Sequence, residues 1–564
     1  MASVMDLADD RCGLETSPVL LQTSVALQLQ RVAPSLGNHS GSWQALPLLP
    51  SPLLEAGARL VAATGVSVAD PNFMKGLATW AGTFAVGSAV LTLLFAVFRF
   101  TKAPKAHQKT SAPPAAAHFG WPLLLAELVT AMTTFAEGYD MAVMGGALHL
   151  LVKDLSLSPS QSAWVVGIVQ IMMAIGAPFG GWLGDRIGRL PGLALSYALM
   201  TAGPVLMFFA HGFVVLFLGR VIQALGMGAA VTISTTYVTE VSPASIRGSL
   251  PSLTELFMVL GLVLAFFTNF ALVGVPGGWR WMLATGAVFP ALVLPMVLAG
   301  LPPESPRYLL MSGQRQKAKA VLRSLVDSEE AAETIARWDE EQEPETAASW
   351  LQTLWPEDPR VRRAFFTGVV AMVIQLACGV NVITSYAATM LADEVGKANA
   401  NFDIFLVACA RLFVVIPAVF FIDLLGRRPM LLGSSMGMAI AMILLTIFYW
   451  AGAEVYPWKY AGFAFFYMAF SPGVGAVSWV FVSEVMDNAI RSKGLAVAIF
   501  ATRVLTGVEM ITFPAAKDHL GTGAVFLILA VFNVAAWFFY FFFVPETTGV
   551  KLESVKRCFE REAG

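Results

Sequence analysis

Charge is scarce in this 564-residue chain: Asp, Glu, Lys and Arg make up 13% of it, against roughly 25% in an ordinary soluble domain, while 57% is apolar. That balance excludes a water-soluble globule and makes the chain a polytopic membrane protein, with the lipid bilayer as its first partner. The net charge is only −2, without the basic excess of a nucleic-acid binder, so no nucleic-acid partner is expected. Cysteine is scarcer still. Cys12, Cys378, Cys409 and Cys558 show no C-x-x-C or metal-ligand spacing, and two of them fall in apolar segments. No disulfide framework, redox motif or metal site is implied. No polar segment sets a nucleophile beside a base or carries a phosphate loop, so an enzyme is disfavoured and no cofactor is expected. His149 and His211 fall at segment ends and read as interfacial residues rather than proton relays.

What the chain has is long apolar runs. A helical span needs about 20 apolar residues, and twelve such segments lie near 121–150, 162–184, 190–211, 213–238, 252–273, 281–301, 363–392, 402–424, 429–451, 459–484, 494–515 and 522–545. The polar stretch 302–362 reads as a linker of short surface helices, with Arg315, Lys317, Lys319 and Arg323 ahead of an acidic run from Asp327 to Glu345. It joins an N-terminal bundle, 121–301, to a C-terminal bundle, 363–545, and a tail, 546–564, follows.

Lys and Arg placement orients the spans. Arg186, Arg189, Arg247, Arg427, Arg428, Arg491 and Lys493 share one face with the linker and the tail. The opposite loops hold Lys153, Arg280, Lys397, Lys459 and Lys517. The first face is therefore expected to be cytoplasmic.

Upstream, Gly76 to Phe98 is a further apolar segment, and Arg99, Lys102, Lys105 and Lys109 mark the basic linker 99–120 behind it. It is expected to be an extra N-terminal transmembrane helix. The alternative is a cleaved targeting segment, against which its depth in the chain argues. Residues 1–75 are low in charge and carry a glycan-acceptor triplet, Asn38-His39-Ser40.

The apolar runs are punctuated by a repeated sentence. Gly181-Trp-Leu-Gly-Asp185-Arg-Ile-Gly188-Arg189 returns as Ile422-Asp423-Leu-Leu-Gly426-Arg427-Arg428; Glu240…Arg247 returns as Glu484…Arg491, and Pro303-Glu304-Ser305 as Pro545-Glu546-Thr547. All three recur in the same order at an offset of about 240 residues, which marks two related halves. Acid–base pairs that form and break suit a gate between such halves, because partly exposed ion pairs are individually weak. Asp185, Arg189, Glu240 and Arg247 on one side, with Asp423, Arg427, Glu484 and Arg491 on the other, are placed for a latch. The plainer reading leaves these arginines as orientation signals alone. Gly188 and Gly426 would permit tight turns.

These motifs, with Pro303-Glu-Ser-Pro-Arg307 and Pro545-Glu-Thr-Thr-Gly549, resemble the sugar porter family of the major facilitator superfamily over roughly 120–560. Tyr237-Val-Thr-Glu-Val-Ser-Pro-Ala-Ser-Ile-Arg-Gly248 is most similar to plant-type polyol and monosaccharide proton symporters. The resemblance implies an all-α major facilitator fold of two six-helix bundles, and alternating access to one site between them.

Ionisable groups inside apolar spans are costly and hence functional candidates. The resemblance makes Asp140 the proton-coupling carboxylate, with Arg220 as its partner and the proton as coupling ion; the alternative is a permanent bridge in a facilitator. It makes Glu255 a substrate-binding or proton-handling group, or else a packing carboxylate. Gln375 and Asn381 would bind substrate. Leu376 replaces a second glutamine of the family signature, and Ser385 stands where tyrosine is common. Trp479 would stack on the solute, and Arg411 and Arg503 would shape the polar wall of the site, with Glu255 and Glu509 available to neutralise them. Glu137 departs from the family, which is usually apolar one turn before Asp140; a second acid there would alter proton stoichiometry or simply face a wet cleft.

The expected function is secondary active transport of a sugar or polyol with a proton, in a plasma or organelle membrane, and a monomer is compatible with it. Competing readings are a facilitator, an organic-anion carrier that uses the two arginines, and a non-transporting nutrient sensor, against which the short tail argues.

Overall fold

The computed structural model describes residues 121–242, 250–326, 331–332, 334–336, 350–452, 456–487, 490–547 and 558–559. The segment 1–75, the extra helix expected at 76–98, the basic linker 99–120, Arg247, most of the acidic run and most of the tail lie outside the described residues, as do the side chains of Asp423 and Arg491.

The regular structure of the described residues is helical. The first half comprises α1 (Trp121–Asp154), α2 (Pro159–Ile187), α3 (Arg189–Phe208), α4 (Phe213–Val241), α5 (Leu250–Leu272) and the collinear pieces α6 (Gly278–Thr285) and α7 (Val288–Leu298). Short helices α8 (Pro306–Met311), α9 (Arg315–Leu325) and α10 (Trp350–Leu354) occupy the polar connection. The second half comprises α11 (Pro359–Ala377), α12 (Val380–Val395), α13 (Lys397–Leu425), α14 (Arg427–Ala451), α15 (Tyr456–Phe470), α16 (Ala476–Val485), α17 (Arg491–Leu520) and α18 (Thr522–Phe543).

Local chemistry sets the helix starts. Ser158 and Gln161 form a capping box ahead of α2, with Pro159 opening the helix, and Asp358 accepts from the Arg360 N–H ahead of Pro359 in α11. Among the described residues, eleven helical segments are long and apolar enough to cross a bilayer. The 34-residue α1 falls short in apolarity because Glu127, Glu137 and Asp140 lie along it, all buried. Large apolar side chains such as Leu298, Phe413, Val531 and Phe542 face outward, while Asp140, Arg220, Glu255 and Arg411 face inward. That is the inverse of a soluble protein and the arrangement a lipid solvent requires.

Three spans expected to be continuous are interrupted, the sixth between α6 and α7 at Gly286 and Ala287. The seventh breaks between α11 and α12, where the chain passes through Gly379 at φ 95°. The tenth carries a π-helical turn, Ser471–Gly475, between α15 and α16, where Pro472 and two glycines weaken the regular α ladder.

Small residues bring the helices together. A Cβ on Gly138 would overlap the Met258 carbonyl of α5, and one on Gly261 would overlap the Phe135 carbonyl of α1, so α1 and α5 cross backbone to backbone. The halves meet the same way on the side away from the basic loops. Gly145 of α1 faces the Thr384 carbonyl of α12, and Gly167 of α2 packs against Ile511 and the Gly507 carbonyl of α17. Phe267 and Phe270 of α5 meet Phe405 and Phe402 of α13.

Candidate functional site

Three ion pairs lie inside the bundle, each between helices that the sequence separates widely. Arg220 of α4 places Nη1 2.5 Å from Asp140 Oδ1 of α1, both side chains no more than 3% exposed. Its Nε donates to the Val165 carbonyl of α2 at 3.3 Å. This pair is internal to the first half.

The other two pairs cross between the halves. Arg411 of α13 sets Nη2 2.7 Å from Glu255 Oε1 of α5. It also donates from Nε to Ser471 Oγ at 2.9 Å, and its guanidinium lies over the rings of Tyr467 and Phe470. Arg503 of α17 pairs with Glu137 of α1 and donates from Nη1 to Gln170 Oε1 of α2 at 3.0 Å. Burying an ion carries a penalty of several kcal/mol that only a well-placed partner offsets, so each arginine is matched by its own carboxylate. Glu509, expected to share in this neutralisation, finds no hydrogen-bond partner for either oxygen among the described residues.

The amide residues lie at the two interruptions. Gln375, near the end of α11, donates from Nε2 to the Gly475 carbonyl in the π turn at 2.8 Å, and its Oε1 is buried without a hydrogen-bond partner among the described residues. Asn381, in the first turn of α12, is fully buried with both side-chain polar atoms in the same condition. Unmet donors and acceptors of this kind are the exception in a folded interior, and they mark a place for an outside hydrogen-bonding partner. Trp479 is placed elsewhere, half-buried against an apolar cluster that includes Phe365, Met372 and Met486.

A cavity of about 10 Å³, room for roughly one water molecule, is lined by Asp140, Arg220, Gln170 and Ser385 together with Met141, Met144, Val166, Val169 and Met510. It is far too small for a sugar.

At the basic face each half repeats one construction. Arg189 lies 2.7 Å from Asp185 Oδ1 and 2.9 Å from Glu240 Oε1, and Ser305 Oγ donates to Glu240. The Glu304 carboxylate accepts the backbone N–H groups of Arg189 and Leu190, both at 3.1 Å, at the start of α3. In the second half Arg427 lies 3.0 Å from Glu484 Oε1, Thr547 Oγ1 donates to Glu484 Oε2 at 2.6 Å, and Glu546 accepts from the N–H groups of Arg427 and Arg428 at 3.0 and 3.1 Å. An anion at a helix N-terminus satisfies open donors and the helix dipole together.

Gly188 and Gly426 make room for this docking. Their φ values are 108° and 89°, and a Cβ at either would lie 2.8 or 2.9 Å from the docked carboxylate oxygen. A latch between the halves was expected from these charges; the pairs named here lie within each half, while Arg247 and the side chains of Asp423 and Arg491 lie outside the described residues.

Residues 126–559 match the family described as sugar (and other) transporter. The chain belongs to that family. The transporter is 31% identical over 462 residues to polyol transporter 5 of Arabidopsis thaliana, an alignment covering 77% of this chain and 85% of the relative. It is likewise 31% identical over 435 residues to the arabinose-proton symporter of Bacillus subtilis (strain 168), covering 74% and 91%. Among solved structures it resembles the inward-open xylose transporter XylE from E. coli, with a TM-score of 0.65 and 26% identity over 78% of this chain and 100% of that one. XylE bound to 6-bromo-6-deoxy-D-glucose, described as a major facilitator superfamily proton:xylose symporter, gives a TM-score of 0.66 at 26% identity over 78% and 99%. The protein is thus a multi-pass sugar or polyol transporter of the major facilitator fold, not an enzyme.

Several residues of the transporter's interior escaped sequence reasoning. Gln170 and Ser471 are polar residues in apolar spans, a usable signal, but nothing local says which arginine each one meets. Glu304 and Glu546 were visible as a repeated motif, and only the fold shows that they seal the starts of α3 and α14.

Proposed function

We propose that the transporter moves a small neutral polyhydroxylated solute together with a proton by alternating access, the bundles 121–301 and 363–545 rocking about the site and the linker 302–362 joining them. The observation that carries this reading is the Asp140–Arg220 pair, buried and fronting the cavity. A carboxylate there gains a proton where its surroundings are desolvated and loses it where water and Arg220 favour the charge, so opening the cavity to one side or the other links protonation to conformation. The naming of relatives as an arabinose-proton symporter and a polyol transporter supports both halves of the reading.

Gln375 and Asn381 supply unmet hydrogen-bonding atoms to a hydroxylated ligand, and Ser385 borders the cavity at Asp140. Glu255, Arg411 and Arg503 act as polar wall, with Trp479 reaching the solute in another conformation of the cycle. An organic-anion substrate is disfavoured, because Arg411 and Arg503 are already matched by Glu255 and Glu137.

Uptake of a panel of sugars and polyols into liposomes with an imposed pH gradient tests the reading. The wild type accumulates its solute against a gradient. Asp140→Asn abolishes that accumulation while solute counterflow remains measurable. Undiminished accumulation by the variant would remove Asp140 from the coupling role.

A further inference from the structure

We propose that Glu137 is a second proton-binding carboxylate of the transport cycle, held by Arg503 across the interface between the halves. The proposal rests on the proton-coupled reading above and adds a site to it. Asp140 and Glu137 lie one helical turn apart on α1 but are engaged differently. The Asp140–Arg220 pair joins α1 to α4 within one half, so rigid rocking leaves it intact. The Glu137–Arg503 pair joins α1 to α17 in the other half, so the same rocking draws it apart.

Separation leaves two opposite charges unpaired in a low-dielectric interior, which is strongly unfavourable. Of the two groups, guanidinium keeps its charge in any protein setting, whereas a carboxylate can be neutralised. One proton from the water on the open side therefore binds a Glu137 oxygen as the N–H···O contact opens. It leaves to the other side when the contact re-forms, and no bond other than the O–H is made or broken. Gln170 belongs to the same half as Glu137, so its bond to Arg503 opens in the same movement.

The surroundings favour this assignment. Ionisable groups on α1 and the helices packed about its middle include Tyr139 and Asp140 on α1 itself, Arg220 on α4, Glu255 on α5, and Arg503 and Glu509 on α17. Asp140 is bound to Arg220, and Glu255 to Arg411 of α13. Gln170 is neutral, α6, α7 and α12 carry no acid or base at this depth, and Arg503 is thus the cation that answers Glu137. Gln170, which Arg503 bonds alongside Glu137, also lines the cavity beside Asp140.

The test is the proton-to-solute ratio of the full-length transporter in liposomes, read from the solute gradient at which net flux reverses under a fixed pH gradient. Radiolabelled sorbitol is the probe, with D-xylose as the second. More than one proton per solute is expected in the wild type, with Glu137→Gln moving one fewer. The doubly neutral Glu137→Gln/Arg503→Gln gives the same lower ratio and guards against a single variant that fails through an unpaired Arg503. Monodisperse elution and an unchanged helical circular dichroism spectrum show that the variants fold.

A wild type that moves one proton per solute, or a ratio unaltered in both variants, overturns the role of Glu137 and leaves coupling through Asp140 standing. Wild-type flux indifferent to the pH gradient, or no flux of either probe, overturns the coupled polyhydroxylated-solute reading and this site with it.

Discussion

Gly138 and Gly261 each occupy a point where a single methyl group has nowhere to go. Each faces a backbone carbonyl of the opposing helix, and backbone cannot turn aside as a side chain does. Gly138→Ala forces α1 from α5 and is expected to destabilise the transporter by about 1–3 kcal/mol, as overpacking does elsewhere. It would also displace Glu137 and Asp140, its neighbours on α1. Thermal unfolding in detergent checks this, and an unchanged midpoint would show that the crossing yields without strain. The ionisable residues teach a different lesson. Their presence in apolar spans singled out Asp140, Glu255, Arg411 and Arg503 from the sequence alone, because buried charge is rare enough to stand out. The resemblance paired Asp140 with Arg220, but the Glu137–Arg503 pairing was not legible: the two lie on helices from different halves, and no periodicity connects positions so far apart. The sequence reads Glu255 both as a substrate ligand and as a neutraliser of the arginines, and here it pairs with Arg411.

Among the elements, the starts of α3 and α14 show what the repeat encodes. Helix, glycine turn, arginine and docked glutamate recur as a unit, which explains why the three motifs keep one order and one spacing. The helical runs, the membrane fold and the two-half plan were legible because hydropathy and repetition are local or periodic signals. The break at Gly379 and the π turn at Ser471–Gly475 were not, since each relieves a packing demand set by other helices. Glu304 also carries a pH signature. Burial pushes its carboxyl up, and the N–H groups of Ser305, Leu190 and Arg189 with the Arg189 charge only partly offset this. A carboxyl raised in the folded state binds its proton more tightly there, so its contribution to stability is full below the ordinary carboxylate range and is lost as pH rises through the raised value. The unfolding midpoint of the wild type should therefore decline over that interval, and Glu304→Gln should flatten the decline. Parallel curves for the two proteins would show that Glu304 titrates as it does in the unfolded chain.

At the scale of the whole molecule, the halves touch on the side away from the basic loops through glycine contacts, Gly145 against α12 and Gly167 against α17. Close approach there keeps that side shut in this conformation. Gly167→Val would wedge α2 from α17 and shift the population toward the state open on that side. The measure is labelling of Ser385→Cys, in a background with the natural cysteines replaced, by an impermeant thiol reagent added from that side. Faster labelling in the wedge variant is expected, and an equal rate would show that the contact does not hold the halves.

The basic face works on another principle. There Glu304 and Glu546 bind the helix starts of their own halves, and Arg189 and Arg427 bind acids of their own halves. The described pairs are thus matched at short range, where dissolved ions compete poorly, in contrast to a long-range attraction that falls off within a screening length of about 8 Å at physiological salt. For these pairs contact geometry outweighs the long-range field, and a rise or fall of salt at that face would leave the two helix-start joints largely undisturbed.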